Sequence, residues 1–316
     1  MSGKFIISLD FELHWGAAEK WDVDEMRTYF LNTVKYIPEL LLTFQEYNIR
    51  CTWATVGFLF AKNKKQLTDF SPKVKPTYDR RELSYYNIIP QLGNDETDDP
   101  FHYGPSLIQQ ILNTPGQELA SHTFAHYYCN ELGQTVEQFD ADLKAAQIIA
   151  KENFGVRLQS LVFPRNQFNK EYLQVAKKNG IKVVRSNPNV WFWNWNFGKF
   201  KPLFRALDTL IPISNSLCFL KPTKDEDLLC LPASRFFRPF NPREKSIQRI
   251  KLNRIKREMT YAAKHNRIYH LWWHPHNFGD DIESNRAQLI EILSHFKELE
   301  YKYKFTSSNM GDYAMV

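Results

Sequence analysis

Lys4-Phe-Ile-Ile-Ser-Leu-Asp-Phe-Glu12 (KFIISLDFE) is a run of β-forming residues that ends on two carboxylates. An extended chain places residues two apart on the same side, so Asp10 and Glu12 project together from the end of this strand. The pattern repeats along the chain. Arg50–Val56 (RCTWATV), Glu118–Ser121, Ser160–Phe163, Ile181–Val184 and Ile268–Trp273 (IYHLWW) read as strands, and Tyr303–Phe305 reads as a closing one. Helical patterns separate them: about 24–47, a short one from Ser106, one from Thr135, one capped by Asn169, a long one in the basic stretch between Arg235 and Arg267 with Leu252, Ile255, Met259 and Ala262 on one face, and a last one from Ser284. The helix from Thr135 is the clearest. Thr135 with Gln138 makes a capping box, Val136, Phe139, Leu143, Ala146 and Ala150 recur at spacings of three and four, and Gly155 stops it. Alternation of this kind predicts an α/β fold with a parallel sheet, a β/α barrel of about seven units. A long surface insertion is expected after the second strand, at about residues 61–104, where Pro, Asp and Tyr break the pattern (SPKVKPTYDRR, GNDETDDP). The whole chain, 1–316, reads as one such domain.

Composition excludes several classes. No apolar run is long enough for a membrane-spanning helix, and the apolar content is that of a folded protein. Cys51, Cys129, Cys218 and Cys230 show no CxxC spacing, which favours reduced, buried thiols. No removable leader precedes the first strand, so a cytoplasmic location is expected. The net charge is +6, and eleven Lys or Arg against two acidic residues fall between Arg235 and Arg267. Such a stretch is either a solvated helix face or a surface that attracts a phosphate-bearing substrate or an anionic membrane surface. No nucleic-acid-binding motif accompanies it.

In β/α barrels the chemistry gathers at the C-terminal ends of the strands. Asp10, His122, Arg165, Arg185 and His274 each stand just after a different predicted strand. His122-Thr-Phe-Ala-His126 carries two imidazoles that one helical turn would bring to one cation. Two histidines with one carboxylate and an open position for water form a hydrolytic zinc set. In Phe163-Pro-Arg165-Asn166-Gln167, an arginine at a barrel mouth is suited to keep a carboxylate ionised. His270-Leu-Trp-Trp-His274-Pro-His276-Asn277 places three histidines at a strand end, of which His270 alternates into the strand and reads as a core residue. Trp191, Trp193 and Trp195 (NVWFWNWNFG) read either as rim packing or as a platform for a sugar or an acyl chain.

Taken in order, SLDFE, ELASHTFAH, FPRNQ, VVRSN and HLWWHPH resemble the five motifs of the polysaccharide deacetylases with NodB homology, carbohydrate esterase family 4, over about residues 4–305. The family's first motif usually has adjacent aspartates. The acid–x–acid version here is similar to that of some intracellular members. VVRSN is the poorest match, and its role stays open. The resemblance implies a distorted form of the seven-unit β/α barrel, with Asp10 as base and Glu12, His122 and His126 as ligands of a divalent metal, zinc by preference; exchanged roles for Asp10 and Glu12 are the alternative. It further implies Arg165 as the brace of Asp10 and His274, rather than His276, as acid. Asn166, Gln167, Trp193, His276 and Asn277 are then candidates for substrate contact. The implied activity is metal-dependent removal of an N-acyl group, acetyl or formyl, from an amino sugar of a nucleotide- or lipid-linked precursor in surface-polysaccharide (O-antigen or capsule) biosynthesis. An amidohydrolase of the allantoinase or cyclic-imide type, or a non-catalytic carbohydrate-binding relative, are the alternatives.

Overall fold

The first strand, β1 (Lys4–Phe11), shows what organises the fold. Its odd residues Phe5, Ile7, Leu9 and Phe11 belong to the large core under the helices, whereas Ile6 packs with Ala54, Val162, Val183, Leu231 and Met310 on the other face. Period-two alternation therefore puts Ile6, Ser8 and Asp10 on one side, in that order toward the strand's C-terminal end. The computed structural model describes residues 2–188, 190, 208 and 217–315.

Nine more strands complete one curled, open sheet among the described residues: β2 (Cys51–Thr55), β3 (Gln117–Ser121), β4 (Ser160–Leu161), β5 (Val183–Ser186), β6 (Thr223–Asp225), β7 (Leu228–Pro232), β8 (Arg235–Phe236), β9 (Ile268–Trp273) and β10 (Thr306–Ser308). Their order is β6-β7-β5-β4-β3-β2-β1-β9-β8, with β10 beside β1. Every pairing is parallel except β6 with β7. Helices α1 (Arg27–Glu46), α2 (Lys64–Phe70), α3 (Pro105–Asn113), α4 (Val136–Phe154), α5 (Lys170–Lys178), α6 (Lys245–Lys264) and α7 (Ile282–Tyr303) surround the sheet. The β/α barrel expected from the alternation, in the distorted form that the resemblance implies, is the fold observed. None of the described helices is long and apolar enough to cross a membrane.

Three local differences have physical causes. The β6–β7 hairpin turns through Glu226 and Asp227, both at positive φ (47° and 61°). Such a two-residue turn usually advertises itself with Asn-Gly or Asp-Gly, and here neither is present. The closing strand lies at Thr306–Ser308 because the last helix runs on to Tyr303. The long insertion expected after β2 is present, but it is partly helical and packed rather than a plain surface segment. It carries polar residues, but Tyr78, Leu83, Tyr85, Tyr86 and Ile89 are buried in the main core. The triplet Trp191, Trp193 and Trp195 lies outside the described residues.

The capping box of α4 forms as read: Thr135 Oγ1 accepts from the Gln138 N–H and Gln138 Oε1 accepts from the Thr135 N–H. Thr135→Ala should therefore cost about 1 kcal/mol, read as a lower urea midpoint with an unchanged slope.

Candidate active site

Asp10 follows Ile6 and Ser8 on the inner face of β1 and is buried. Arg185, two residues after inner-face Val183 on β5, meets it with a two-pronged ion pair: Nη1 to Oδ1 at 2.6 Å and Nη2 to Oδ2 at 2.7 Å. The guanidinium is fully buried. It lies 4.3 Å from the ring centre of Trp272, and donates further to Ser8 Oγ (3.2 Å) and Asn166 Oδ1 (3.1 Å). His270 Nε2 reaches the same Ser8 hydroxyl at 2.8 Å, so His270 is the core residue its alternation suggested. Burial by itself raises the Asp10 carboxyl. The adjacent Arg185 charge, with smaller contributions from His122 and His274, brings it below its ordinary value.

The arginine that grips Asp10 is thus Arg185 and not Arg165. The chain leaves β4 at Leu161 and turns through Arg165 and Asn166 at positive φ (54° and 52°), which sends the Arg165 side chain outward. There it pairs with Glu19 (2.7 Å) and Glu131 (2.9 Å) over the ring of Tyr128. Arg185 keeps the inward direction because it is still part of its strand.

Glu12 follows β1 and is equally buried, but its neighbours are imidazoles. Its Oε2 lies 3.3 Å from His122 Nε2 and 3.0 Å from His126 Nε2. Its Oε1 lies 3.4 Å from His274 Nε2 and 4.0 Å from His276 Nε2. His274 Nε2 is also 3.7 Å from Asp10 Oδ2. Against the upward push of burial, these imidazoles, the His274 charge first, hold the Glu12 carboxyl well below its ordinary value. Gly16 makes room for this carboxylate, since a methyl group there would overlap Oε1 and Cδ of Glu12. His14, in the same turn, is tied to the insertion through His102 (2.8 Å), which pairs with Asp99.

His122 and His126 do not lie on a helical turn. His122 follows directly on β3, and the chain then passes through Thr123 and His126 at positive φ (64° and 54°). What holds this loop is Asp142 of α4, a residue the sequence reading passed over. Its buried carboxylate accepts from the backbone N–H groups of Phe124 (2.7 Å) and Ala125 (3.1 Å) and from the Tyr86 hydroxyl (3.1 Å). The signal was present: Asp142 stands three residues after Phe139, on the apolar stripe of α4. Tyr85 of the insertion stacks its ring on His126, and its hydroxyl donates to Glu19 and meets Tyr128.

Of the remaining expected contact residues, Asn166, His276 and Asn277 stand at the site as supports. Asn166 accepts from Arg185, and Asn277 Oδ1 is 3.1 Å from His274 Nδ1. His276 stacks on His274, and Gln167 has a buried Oε1 with no protein partner among the described residues. Trp193 lies outside the described residues.

The donor set suits a divalent cation. His122 Nδ1 is 2.8 Å from the Val162 carbonyl, which only accepts, so Nδ1 carries a hydrogen and Nε2 is the atom that would turn to a metal beside Glu12 Oε2. Oε2 is buried and accepts no well-aligned hydrogen bond. Burial also lowers the His126 imidazole, with its neutral form favoured. A carboxylate oxygen and two imidazole Nε2 atoms that converge in a dry pocket suit a shared cation. Bonds of about 2.0–2.2 Å in a tetrahedral site would set ligand atoms roughly 3.3–3.5 Å apart, close to the spacing found around Oε2.

Two outcomes follow from these contacts. Gly16→Ala should displace Glu12 and sharply weaken divalent-metal uptake, measured by metal analysis of the purified protein, while far-UV circular dichroism is unchanged. Burial pushes Asp142 up to about 7, against the hydrogen bonds it accepts. Because its folded value lies above the unfolded one, its contribution to stability is full below about pH 4 and is lost as pH rises through about 7. Wild type minus Asp142→Asn, in unfolding free energy, should therefore fall across that window; a flat difference contradicts the assignment.

The family model for polysaccharide deacetylase matches residues 24–184. The fold is similar to a Mycobacterium smegmatis protein given the name polysaccharide deacetylase (TM-score 0.61, 13% identity, 100% of this chain and 90% of that one). It is also similar to a Pseudomonas aeruginosa PAO1 protein of the same name (TM-score 0.55, 11% identity, 99% and 89%). A 4-alpha-glucanotransferase from Thermococcus litoralis shares it as well (TM-score 0.57, 11% identity, 100% and 40%). No protein of curated function matches the chain. With half of its length matched to the family model, the chain belongs to the polysaccharide deacetylase family.

Proposed function

We propose that this protein is a divalent-metal hydrolase that removes an N-acyl group, acetyl or formyl, from an amino sugar. The observation that carries this reading is the convergence, at one barrel mouth, of a cation-shaped acceptor set (Glu12, His122, His126), a permanently compensated carboxylate (Asp10) and a partly exposed histidine (His274). A cation held by the first three, zinc by preference, would lower the pKa of a bound water towards about 7 and polarise the acyl carbonyl.

The chain's own residues supply the proton transfers. Asp10, kept ionised by Arg185, accepts the proton of the attacking water. Asn277 engages His274 Nδ1, which leaves Nε2 facing the two carboxylates and positioned to protonate the departing nitrogen. The Asp10–Arg185 pair resists protonation and stays put because both partners are buried and doubly hydrogen-bonded. Arg165 serves instead to fasten Glu19 and, through it, Tyr85 of the insertion against His126. The buried acceptor set around Glu12 favours this reading over a metal-free cyclic-imide hydrolase, and the Asp10–Arg185–His274 set favours it over a binding protein without turnover.

As substrate we propose a phosphate-bearing precursor, nucleotide- or lipid-linked, used in surface-polysaccharide synthesis in the cytoplasm. Two features support this. Cys51, Cys129 and Cys230 are buried free thiols, as suits a reducing compartment. Arg243, Lys245, Arg249 and Arg257 are exposed on and before α6, whereas Arg235, Lys251, Arg254 and Lys256 are taken up by ion pairs.

Release of acetate or formate from nucleotide- and lipid-linked amino sugars, set against chitin oligomers, tests the proposal; preference for the polymer would overturn the substrate class. Asp10→Asn and His274→Gln should each lower kcat by about 10²–10⁴-fold. Arg185→Ala should be comparably severe and Arg165→Ala milder; the reverse order would return the brace to Arg165.

A further inference from the structure

Glu12 has imidazoles on both sides. Its Oε2 faces His122 and His126, and its Oε1 faces His274 and His276. Each trio brings its ligand atoms within 4.8 Å of one another. The second pair is built like a fork: Pro275 separates two histidines whose rings stack at 5.1 Å with an angle of 19° between their planes. The Nε2 atoms of both approach one oxygen. His276 is buried, and its Nδ1 has no protein partner among the described residues.

We propose that Glu12 bridges two cation sites, and that the second, made by Oε1, His274 and His276, takes a further divalent ion that inhibits the hydrolase. The inference rests on the functional reading above, in which His274 donates a proton. A histidine that ligates a cation through Nε2 has no proton there to give. Two metals sharing one carboxylate is a recurrent arrangement in hydrolytic sites, but here the second ion would remove the acid.

The two sites differ in strength for three reasons. Ligand spacings around Oε1 are 3.4 and 4.0 Å, looser than the 3.3 and 3.0 Å around Oε2. His274 is 25% exposed, whereas His122 and His126 are buried, so water competes at the second site. Arg185 already neutralises Asp10, which leaves Glu12 as the anion that both ions must share. The first site therefore fills first and the second binds more weakly.

The test is a titration of the chelator-stripped full chain with zinc alone near neutral pH, with bound ions counted by native mass spectrometry and followed by calorimetry. Two equivalents are expected, the second weaker, with acyl release rising to the first equivalent and falling as the second binds. Cobalt(II) in its place should give the magnetic coupling of a shared carboxylate at two equivalents. His276→Gln should keep the first equivalent and lose both the second and the coupling. If that variant does not fold, the cobalt signature of the wild type decides. A wild type that stops at one equivalent overturns the second site and leaves the hydrolase reading standing, whereas one that takes none overturns both. Two uncoupled equivalents, or a second that survives His276→Gln, place the extra ion elsewhere and likewise overturn the inference.

Discussion

Two carboxylates buried two residues apart are the constraint around which this barrel mouth is built. An isolated buried anion costs several kcal/mol, so each needs compensation. Asp10 receives a fixed cation, the doubly engaged guanidinium of Arg185. Glu12 receives imidazoles, whose charge is not permanent and whose lone pairs can turn to a metal. That difference in company is the physical basis for giving the two acids different roles. The anion with a resident cation stays an anion. The one without is free to be a ligand.

Much of the frame was legible because it rests on local periodicity. The strand–helix alternation, the Thr135 capping box and the stop at Gly155 all appear where the sequence places them. The inward direction of Arg185 was legible in principle too, since it alternates with Val183 within β5. Arg165 was not: the resemblance pointed to it, but the positive φ at Arg165 and Asn166 reverses the direction a strand would have given it. The packed role of the insertion was hidden for another reason. Its charged and proline-rich stretches flank the aromatic and aliphatic residues that enter the core, and composition averages over both.

The fold by itself decides little about chemistry, since a glucanotransferase shares it. The family match is informative but bounded. It begins after Glu12 and ends just before Arg185, so it includes His122 and His126 and omits both carboxylates, the arginine and His274. What joins these parts is geometry: inner-face residues of β1, β5 and β9 rise to the same level as the loop that follows β3. Ser8 marks that level, with Arg185 and His270 on either side of its hydroxyl.

That loop explains why a carboxylate with no contact to the proposed cation belongs to the site. Thr123 and His126 sit at positive φ, a conformation that costs non-glycine residues of order 1 kcal/mol or more each. It persists because Asp142 accepts two consecutive backbone N–H groups between them and Thr123 Oγ1 accepts the N–H of Tyr127. Gly57 completes the support from the other side, since a methyl group at that position would meet the Cα of Phe124. Remove any of these and the two imidazoles lose their common direction while every ligand is still present in the chain. Holding ligands on a strained loop thus shifts the demand for accuracy from the histidines to a helix residue and a glycine, neither of which touches the reacting atoms.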